Sequence, residues 1–296
     1  MGCDLYKEDI MAKVIIIGGG PAGVSAALYT QRAGFETVIL EKGIGALGKA
    51  HALENYYGFA EPISGEDLYN NGLAQAKRLG VEVINTEVYA LGFESSLQVV
   101  AKAGKFDCDA IILATGSTRN VPKIKGIKDF EGRGVSYCAV CDGFFHKGKQ
   151  VAVLGAGDYA LHEALELVPI VGGVTLLTNG EPLEVELPDT IQVNDKKIKE
   201  ITGGDLLSSV VFEDDSTIEI SGLFVAQGTS GSTDLARKIG VATEGNKIIV
   251  KENMATNIPG IYSAGDCTGG MLQVAKAVYD GAVAASSVIA DLRKKA

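Results

Sequence analysis

Residues 13–23 read KVIIIGGGPAG, and this stretch decides the fold. Lys13 to Ile17 is a short, mostly β-branched run, as a buried strand requires. Gly18, Gly20 and Gly23 follow at once in GxGxxG spacing. Val24 to Ala33 reads as a helix closed by Gly34. Thr37 to Leu40 reads as a second strand and ends in Glu41. Strand, glycine turn, helix, strand and acid together make a dinucleotide-binding fingerprint. The glycines let the backbone approach a pyrophosphate at the helix N-terminus. The acid accepts hydrogen bonds from a ribose hydroxyl pair.

A second copy follows. Gln150 to Leu154 reads as a strand, and Gly155-Ala156-Gly157-Asp158-Tyr159-Ala160 repeats the turn. Leu161 to Val168 reads as a helix and Val174 to Leu177 as the next strand. Laying the copies over each other puts Thr178 where the first copy has Glu41. The second unit therefore reads as a dinucleotide fold with poor nucleotide chemistry. Between the copies, Ala110 to Leu113 reads as a strand ending in Ala114-Thr115-Gly116. Lys123 to Gly134 reads as a loop.

The chain has 296 residues, enough for two domains. Its formal charge is −10, whereas nucleic-acid binding needs a basic face, so no nucleic acid is expected. Hydrophobic residues make up 46% and charged residues 22%, the balance of a globular chain with sizeable cores. No apolar run reaches the roughly 18 residues of a membrane span, so no membrane partner is expected. Residues 1–11 lack the apolar stretch of a signal peptide and read as a flexible tail. Five cysteines, an odd number without a signal, suggest a cytoplasmic protein and not a disulfide scaffold.

Cys138-Ala139-Val140-Cys141-Asp142-Gly143 lies just ahead of the second copy. A zinc half-site would need a second ligand pair. Cys108, Cys267, His51, His146 and His162 show no such spacing, so no metal is expected. Two inert buried thiols are another reading. The third is a redox dithiol, since CxxC closes a short ring that opens readily and lowers one thiol's pKa. Asp142 is suited to carry the proton of thiol–disulfide exchange, or is a turn residue before Gly143. His146 is the alternative for that role. Asp266, after the short strand beginning at Gly260, reads as an acceptor for a polyol chain or as a helix cap. A helix rich in small residues follows, about Gln273 to Leu292. Cys267 reads as a packed thiol.

Taken in order, Gly18 to Gly23, Ala114-Thr115-Gly116, Cys138 to Asp142, Gly222-Leu223-Phe224-Val225-Ala226 and Ala264-Gly265-Asp266 resemble the low-molecular-weight thioredoxin reductases. The resemblance covers about residues 12–292. It implies an α/β fold of two three-layered, Rossmann-like dinucleotide-binding domains, each a parallel sheet with a β-meander. The second is inserted into the first: a FAD-binding domain of residues 12–117 and 247–296, and a redox-disulfide domain of 118–246. It also implies FAD as cofactor, thioredoxin as protein substrate and a homodimer. By family position, Cys141 is the flavin-facing thiol, Cys138 attacks thioredoxin and Asp142 is the acid/base. The implied FAD site comprises Gly18, Gly20, Pro21, Ala22, Gly23, Glu41, Lys42, Leu47, Asn55, Val88, Ala114, Thr115, Gly116, Gly265, Asp266, Gln273, Val274 and Ala275.

One departure bears on the electron donor. NADPH-using members carry an Arg-containing motif after the strand equivalent to Val174–Leu177. Here Thr178-Asn179-Gly180-Glu181-Pro182-Leu183-Glu184 is neutral to acidic, and no Arg occurs between Arg133 and Arg237. Tyr159 and Leu161 are bulky where the family has small residues. In this the chain is similar to the ferredoxin-dependent flavin thioredoxin reductases, which implies ferredoxin as donor. An NAD(P)H donor and a small-dithiol oxidase on the same fold are competing readings. Lys123, Lys125 and Lys128 with Arg133, and Lys196, Lys197 and Lys199, are candidate docking patches for an acidic partner.

Overall fold

The run Val14–Ile17 is buried along its whole length in the computed structural model, which describes residues 12–116, 122–227 and 231–295. A strand covered on both faces needs such a continuous apolar run. The tail reading of residues 1–11 lies outside the described residues. The chain divides into two compact units, one of residues 1–117 and 241–296, the other of 118–240.

In chain order the first unit holds β1 (Lys13–Ile17), α1 (Pro21–Arg32), β2 (Glu36–Glu41), α2 (Gly65–Arg78) and β3 (Glu82–Asn85). Then come β4 (Val88–Phe93), β5 (Leu97–Ala101), β6 (Gly104–Cys108) and β7 (Ala110–Leu113). The second unit holds β8 (Val135–Ser136), α3 (Ala139–Asp142), β9 (Gln150–Leu154), α4 (Asp158–Leu167), β10 (Gly173–Leu177) and β11 (Ile191–Asn194). It continues with β12 (Ile198–Gly203), β13 (Leu207–Phe212), β14 (Thr217–Glu219), β15 (Gly222–Val225) and α5 (Ser232–Lys238). The chain returns to the first unit with β16 (Thr243–Glu244), β17 (Lys247–Ile248), β18 (Ile261–Ser263) and α6 (Val274–Lys295).

Each unit has the same plan. The first carries a parallel sheet in the order β18-β7-β1-β2-β3, and β4, β5 and β6 form an antiparallel meander. The second carries a parallel sheet in the order β11-β10-β9-β15-β8 with the meander β12-β13-β14. This is the expected fold class of two Rossmann-like domains. Among the described residues, no helix is long and apolar enough to cross a membrane.

The helices start earlier than the sequence pattern suggests. α1 begins at Pro21, which stands in the first turn where its missing N–H costs nothing. α4 begins at Asp158, an acid favoured in a first turn. α1 packs on α6 through small residues, with Ala22, Ala26 and Ala27 buried in one core with Ala284, Ala285 and Val288. A Cβ built on Gly281 would stand 2.1 Å from the Ala22 carbonyl oxygen, so only glycine permits this approach.

Gly281→Ala should therefore lower the urea midpoint of the protein, by the roughly 1–3 kcal/mol typical of overpacking. Gly72→Ala on α2 is the control, since its Cβ would meet Val24 at an ordinary 3.5 Å. It should be neutral or stabilising, because alanine is the better helix former.

Candidate functional site

The first glycine turn is shaped by what its glycines lack. Gly18 has φ +116°, and a Cβ there would stand 2.3 Å from the Ala114 carbonyl oxygen. A Cβ on Gly23 would stand 1.9 Å from the Gly18 carbonyl oxygen. The strand end and the first turn of α1 thus pack backbone against backbone. Gly20 caps α1, and a Cβ there would meet nothing within 4 Å. Open space in front of unpaired helix N–H groups suits an anionic pyrophosphate.

Glu41 ends β2 and is buried. Its Oε2 accepts the Gly43 N–H at 2.5 Å and the Tyr69 hydroxyl at 2.5 Å. Burial, then the Glu41 carboxylate, push the Tyr69 phenol upward, so it stays a donor. Oε1 takes a single long bond from Asn85 Nδ2, 3.3 Å, and keeps acceptor capacity for a ribose diol. Tyr69 and Asn85 had no signal in the sequence; β3 pairing in register with β2 sets Asn85 opposite Glu41. Lys42 is held by Glu87, Nζ to Oε2 2.6 Å. Leu47 and Val88 are buried, and Thr115 and Gly116 follow Ala114 at the end of β7.

A second cluster gathers near the start of α6. Asn55 Nδ2 donates to Gln273 Oε1 at 2.9 Å, and Val274 and Ala275 open the helix. Gly265 donates its N–H to Asp280 Oδ2 at 3.1 Å. Lys276 Nζ binds the carbonyls of Gly265 and Gly269, the Thr268 hydroxyl and Asp280. Burial raises the Asp266 carboxyl, and Asp280 adds to it, while Lys276 opposes both. Lys276 and Asp280 escaped the sequence reading, although their i,i+4 spacing on a helix was the available signal.

In the second unit Cys138 and Cys141 form a disulfide. Cys138 is the N-cap of α3, and its Sγ accepts the Cys141 N–H at 3.2 Å. In this state Cys138 is buried and Cys141 exposed. Ser136 Oγ accepts the Cys138 N–H at 3.1 Å and donates to Asp142 Oδ2 at 2.6 Å, tying the carboxylate to the redox turn. His146 is turned toward Ser221: its Nδ1 lies 3.0 Å from Ser221 Oγ and its ring meets Phe224 edge-on. Burial, then Lys149, push its pKa down, with Asp142 opposing. Asp142 and His146 both line a cleft of about 670 Å³ with Ser136, Arg133 and Lys149. Val140, Phe144 and Phe145 are 51%, 70% and 73% exposed, an apolar patch beside the disulfide of the kind proteins use for partners.

The second glycine turn copies the geometry of the first but not its chemistry. Gly155 has φ +155°, and a Cβ there would stand 2.4 Å from the Ala226 carbonyl oxygen. Gly157 caps α4, but a Glu184 carboxylate oxygen lies 3.4 Å from where its Cβ would be. The Glu184 N–H donates to the Ala156 carbonyl at 3.0 Å, fixing the acidic loop beside the turn. Thr178 is buried just past β10. It lines a cleft of about 530 Å³ with Gly180, Glu181, Pro182, Leu183, Val193 and Asp195, and the Lys197 side chain packs against Gly180 at its edge.

Half of the candidate docking lysines are held in ion pairs. Lys125 pairs with Glu200, Lys196 with Asp214 and Lys199 with Asp215, each at 2.6–2.7 Å. Arg133 turns onto the Asp129 carbonyl and the Phe130 ring.

The sequence profile of the pyridine nucleotide-disulphide oxidoreductase family matches residues 12–281. The thioredoxin reductase of Aquifex aeolicus is 35% identical over 282 residues, 88% of this chain and 87% of the relative. That of Bacillus subtilis is 34% identical over 302 residues, 95% of each chain. Among solved structures, the atypical thioredoxin reductase TRi from Desulfovibrio vulgaris Hildenborough has TM-score 0.89 at 40% identity, covering 96% of this chain and 99% of that one. A ferredoxin-flavin thioredoxin reductase from Clostridium acetobutylicum has TM-score 0.70 at 28% identity, with coverage of 96% and 99%. The chain belongs to the pyridine nucleotide-disulphide oxidoreductases and, within them, to the thioredoxin reductases. FAD is the cofactor of that family, and the first glycine turn with Glu41 fits its adenosine diphosphate half.

Cys108 and Cys267 are buried thiols outside the disulfide, and burial, with Asp109 and Asp107 nearby, pushes Cys108 up to about 12. Its thiolate is scarce near neutrality, and the thiolate is the nucleophile. Native protein treated with iodoacetamide should leave both unlabelled, and denatured protein should label both, as peptide mass spectrometry reads. Labelling of Cys108 in the native protein at the rate of a free peptide thiol would contradict this burial.

Proposed function

We propose that this thioredoxin reductase takes its electrons from a reduced ferredoxin and not from NADPH, as a cytoplasmic homodimer. The observation that carries the donor is the acidic surround of the second glycine turn. A 2′-phosphate needs a cation at the end of β10, where the cleft is lined by Thr178, Glu181 and Asp195 and the nearest lysine, Lys197, packs its chain on Gly180 beside two acids. The Glu184 carboxylate beside Gly157 repels a pyrophosphate where the first copy leaves open space. The similar structure named a ferredoxin-flavin thioredoxin reductase supports the same reading. Energetics permit it: a plant-type ferredoxin near about −400 mV lies roughly 130 mV below thioredoxin, about 6 kcal/mol for two electrons.

In this reading Gly18, Gly20, Gly23 and Glu41 hold the adenosine diphosphate half of FAD, and Asp266, Asn55 and Gln273 lie along its flavin half. Bound FAD supplies a centre that accepts electrons singly and releases them in pairs. Tyr57, Met271 and Leu272 are exposed beside Asn55 and Gln273 and offer an apolar contact for the donor. Lys125, Lys196 and Lys199 are engaged with acids, which leaves Lys123, Lys128 and Lys197 as the candidate lysines for salt-sensitive steering.

Cys138 and Cys141 accept two electrons as their S–S bond breaks. The exposed Cys141 is the sulfur open to electron entry, and the released Cys138 attacks the thioredoxin disulfide. Cys141 then displaces the reduced thioredoxin and restores the Cys138–Cys141 bond. Asp142, oriented by Ser136, carries the proton that the leaving thiolate takes up. The exposed Phe144 and Phe145 give thioredoxin an apolar landing surface beside the disulfide.

Two measurements check this. Under anaerobic conditions, reduced ferredoxin should bleach the flavin absorbance, and a large excess of NADPH should not. Bleaching by NADPH as fast as thioredoxin is turned over would overturn the donor assignment. Cys141→Ser should accumulate a mixed disulfide with thioredoxin through Cys138, and Cys138→Ser should not. Trapping by Cys138→Ser alone would reverse the two roles.

A further inference from the structure

The redox turn rests on a buried ion pair that the chemistry above leaves unused. Glu163, on α4, and Lys238, the last residue of α5, have side chains only 1% and 2% exposed. Glu163 Oε1 is bound by Lys238 Nζ. Its other oxygen, Oε2, accepts the N–H of Ala139 at 2.8 Å, and Ala139 follows Cys138 directly. The Lys238 ammonium also lies 5.3 Å from the centre of the Tyr159 ring. A carboxylate and an ammonium are thus enclosed together behind the disulfide, with one backbone hydrogen bond linking them to it.

We infer that the Glu163–Lys238 pair is a positioning and tuning device that sets the reduction potential of Cys138–Cys141. Opening the S–S bond takes two electrons and, with uptake of one proton, leaves one thiol and one thiolate. The new negative charge forms next to Ala139, whose N–H is already committed to a buried carboxylate. Glu163 alone would disfavour that charge, and Lys238 offsets it. Buried charges are screened far less than surface ones, so the balance of the pair reaches the sulfurs. Other titratable groups near by are Asp142, hydrogen-bonded through Ser136, and His162. Burial, then the Lys238 ammonium, push His162 down, which keeps it neutral. The pair contributes no charge overall, but each partner alone contributes charge of opposite sign.

The test uses the FAD-loaded protein in dithiothreitol buffers of graded redox ratio. The reduced fraction of the Cys138–Cys141 peptide is read by alkylation and mass spectrometry. This measurement does not involve the physiological donor, so its outcome is separable from the ferredoxin assignment. Glu163→Gln keeps an acceptor for Ala139 and leaves Lys238 uncompensated. It should favour the dithiol about tenfold, a rise of roughly 30 mV in potential. Lys238→Met leaves Glu163 uncompensated and should favour the disulfide by a similar factor. Glu163→Gln combined with Lys238→Met should return the equilibrium to within about twofold of the starting protein. A merely structural role predicts loss of stability in both single variants without opposite shifts in potential. If Lys238→Met does not fold, Glu163→Gln decides alone. Shifts of the same sign, or an unmoved equilibrium in Glu163→Gln, would overturn the inference.

Discussion

Two carbonyl oxygens, those of Ala114 and Ala226, occupy space that a Cβ would fill at Gly18 and Gly155. This close approach is the constraint on which both units are built. It lets β1 turn sharply into α1 beside β7, and β9 turn into α4 beside β15. The same geometry aims the N-terminus of each following helix at the mouth of its turn. Without it there is neither a parallel sheet of this order nor a place for a pyrophosphate. The repetition is therefore one of backbone shape, imposed by steric exclusion.

Chemistry then separates the copies. At the first turn, open space at Gly20 faces free helix N–H groups, and a buried, oriented Glu41 stands at the next strand end. At the second, the carboxylate of Glu184 stands beside Gly157, and a buried threonine replaces the acid. A helix N-terminus that already has a carboxylate beside it has less to offer a second anion. In the function proposed above, the second unit keeps the fold to hold a redox turn. Ser136 from β8 orients Asp142, and Glu163 from the helix after the second glycine turn holds the backbone of Ala139. A helix that in the first unit faces a nucleotide here braces a disulfide.

Much of this was legible in the sequence because it depends on local spacing. The glycine turns, the acid after one of them and the CxxCD run are each confined to a few residues, and their meaning follows from covalent reach. What escaped depends on pairing across the fold. Tyr69 and Asn85 hold Glu41 from distant elements, and only the register of β3 against β2 brings Asn85 there. Glu163 and Lys238, from different helices, are buried against each other. Three of the lysines that read as docking patches, Lys125, Lys196 and Lys199, are matched by acids from neighbouring strands and turns. The burial of Cys138 and exposure of Cys141 likewise follow from how α3 packs, and spacing carries no information about that.

On the function proposed here, the second turn has kept its shape and lost its nucleotide. Isothermal titration of the FAD-loaded protein with NADPH measures this directly. The account predicts no saturable binding up to millimolar nucleotide. A dissociation constant in the micromolar range, with one nucleotide bound per chain, would contradict it.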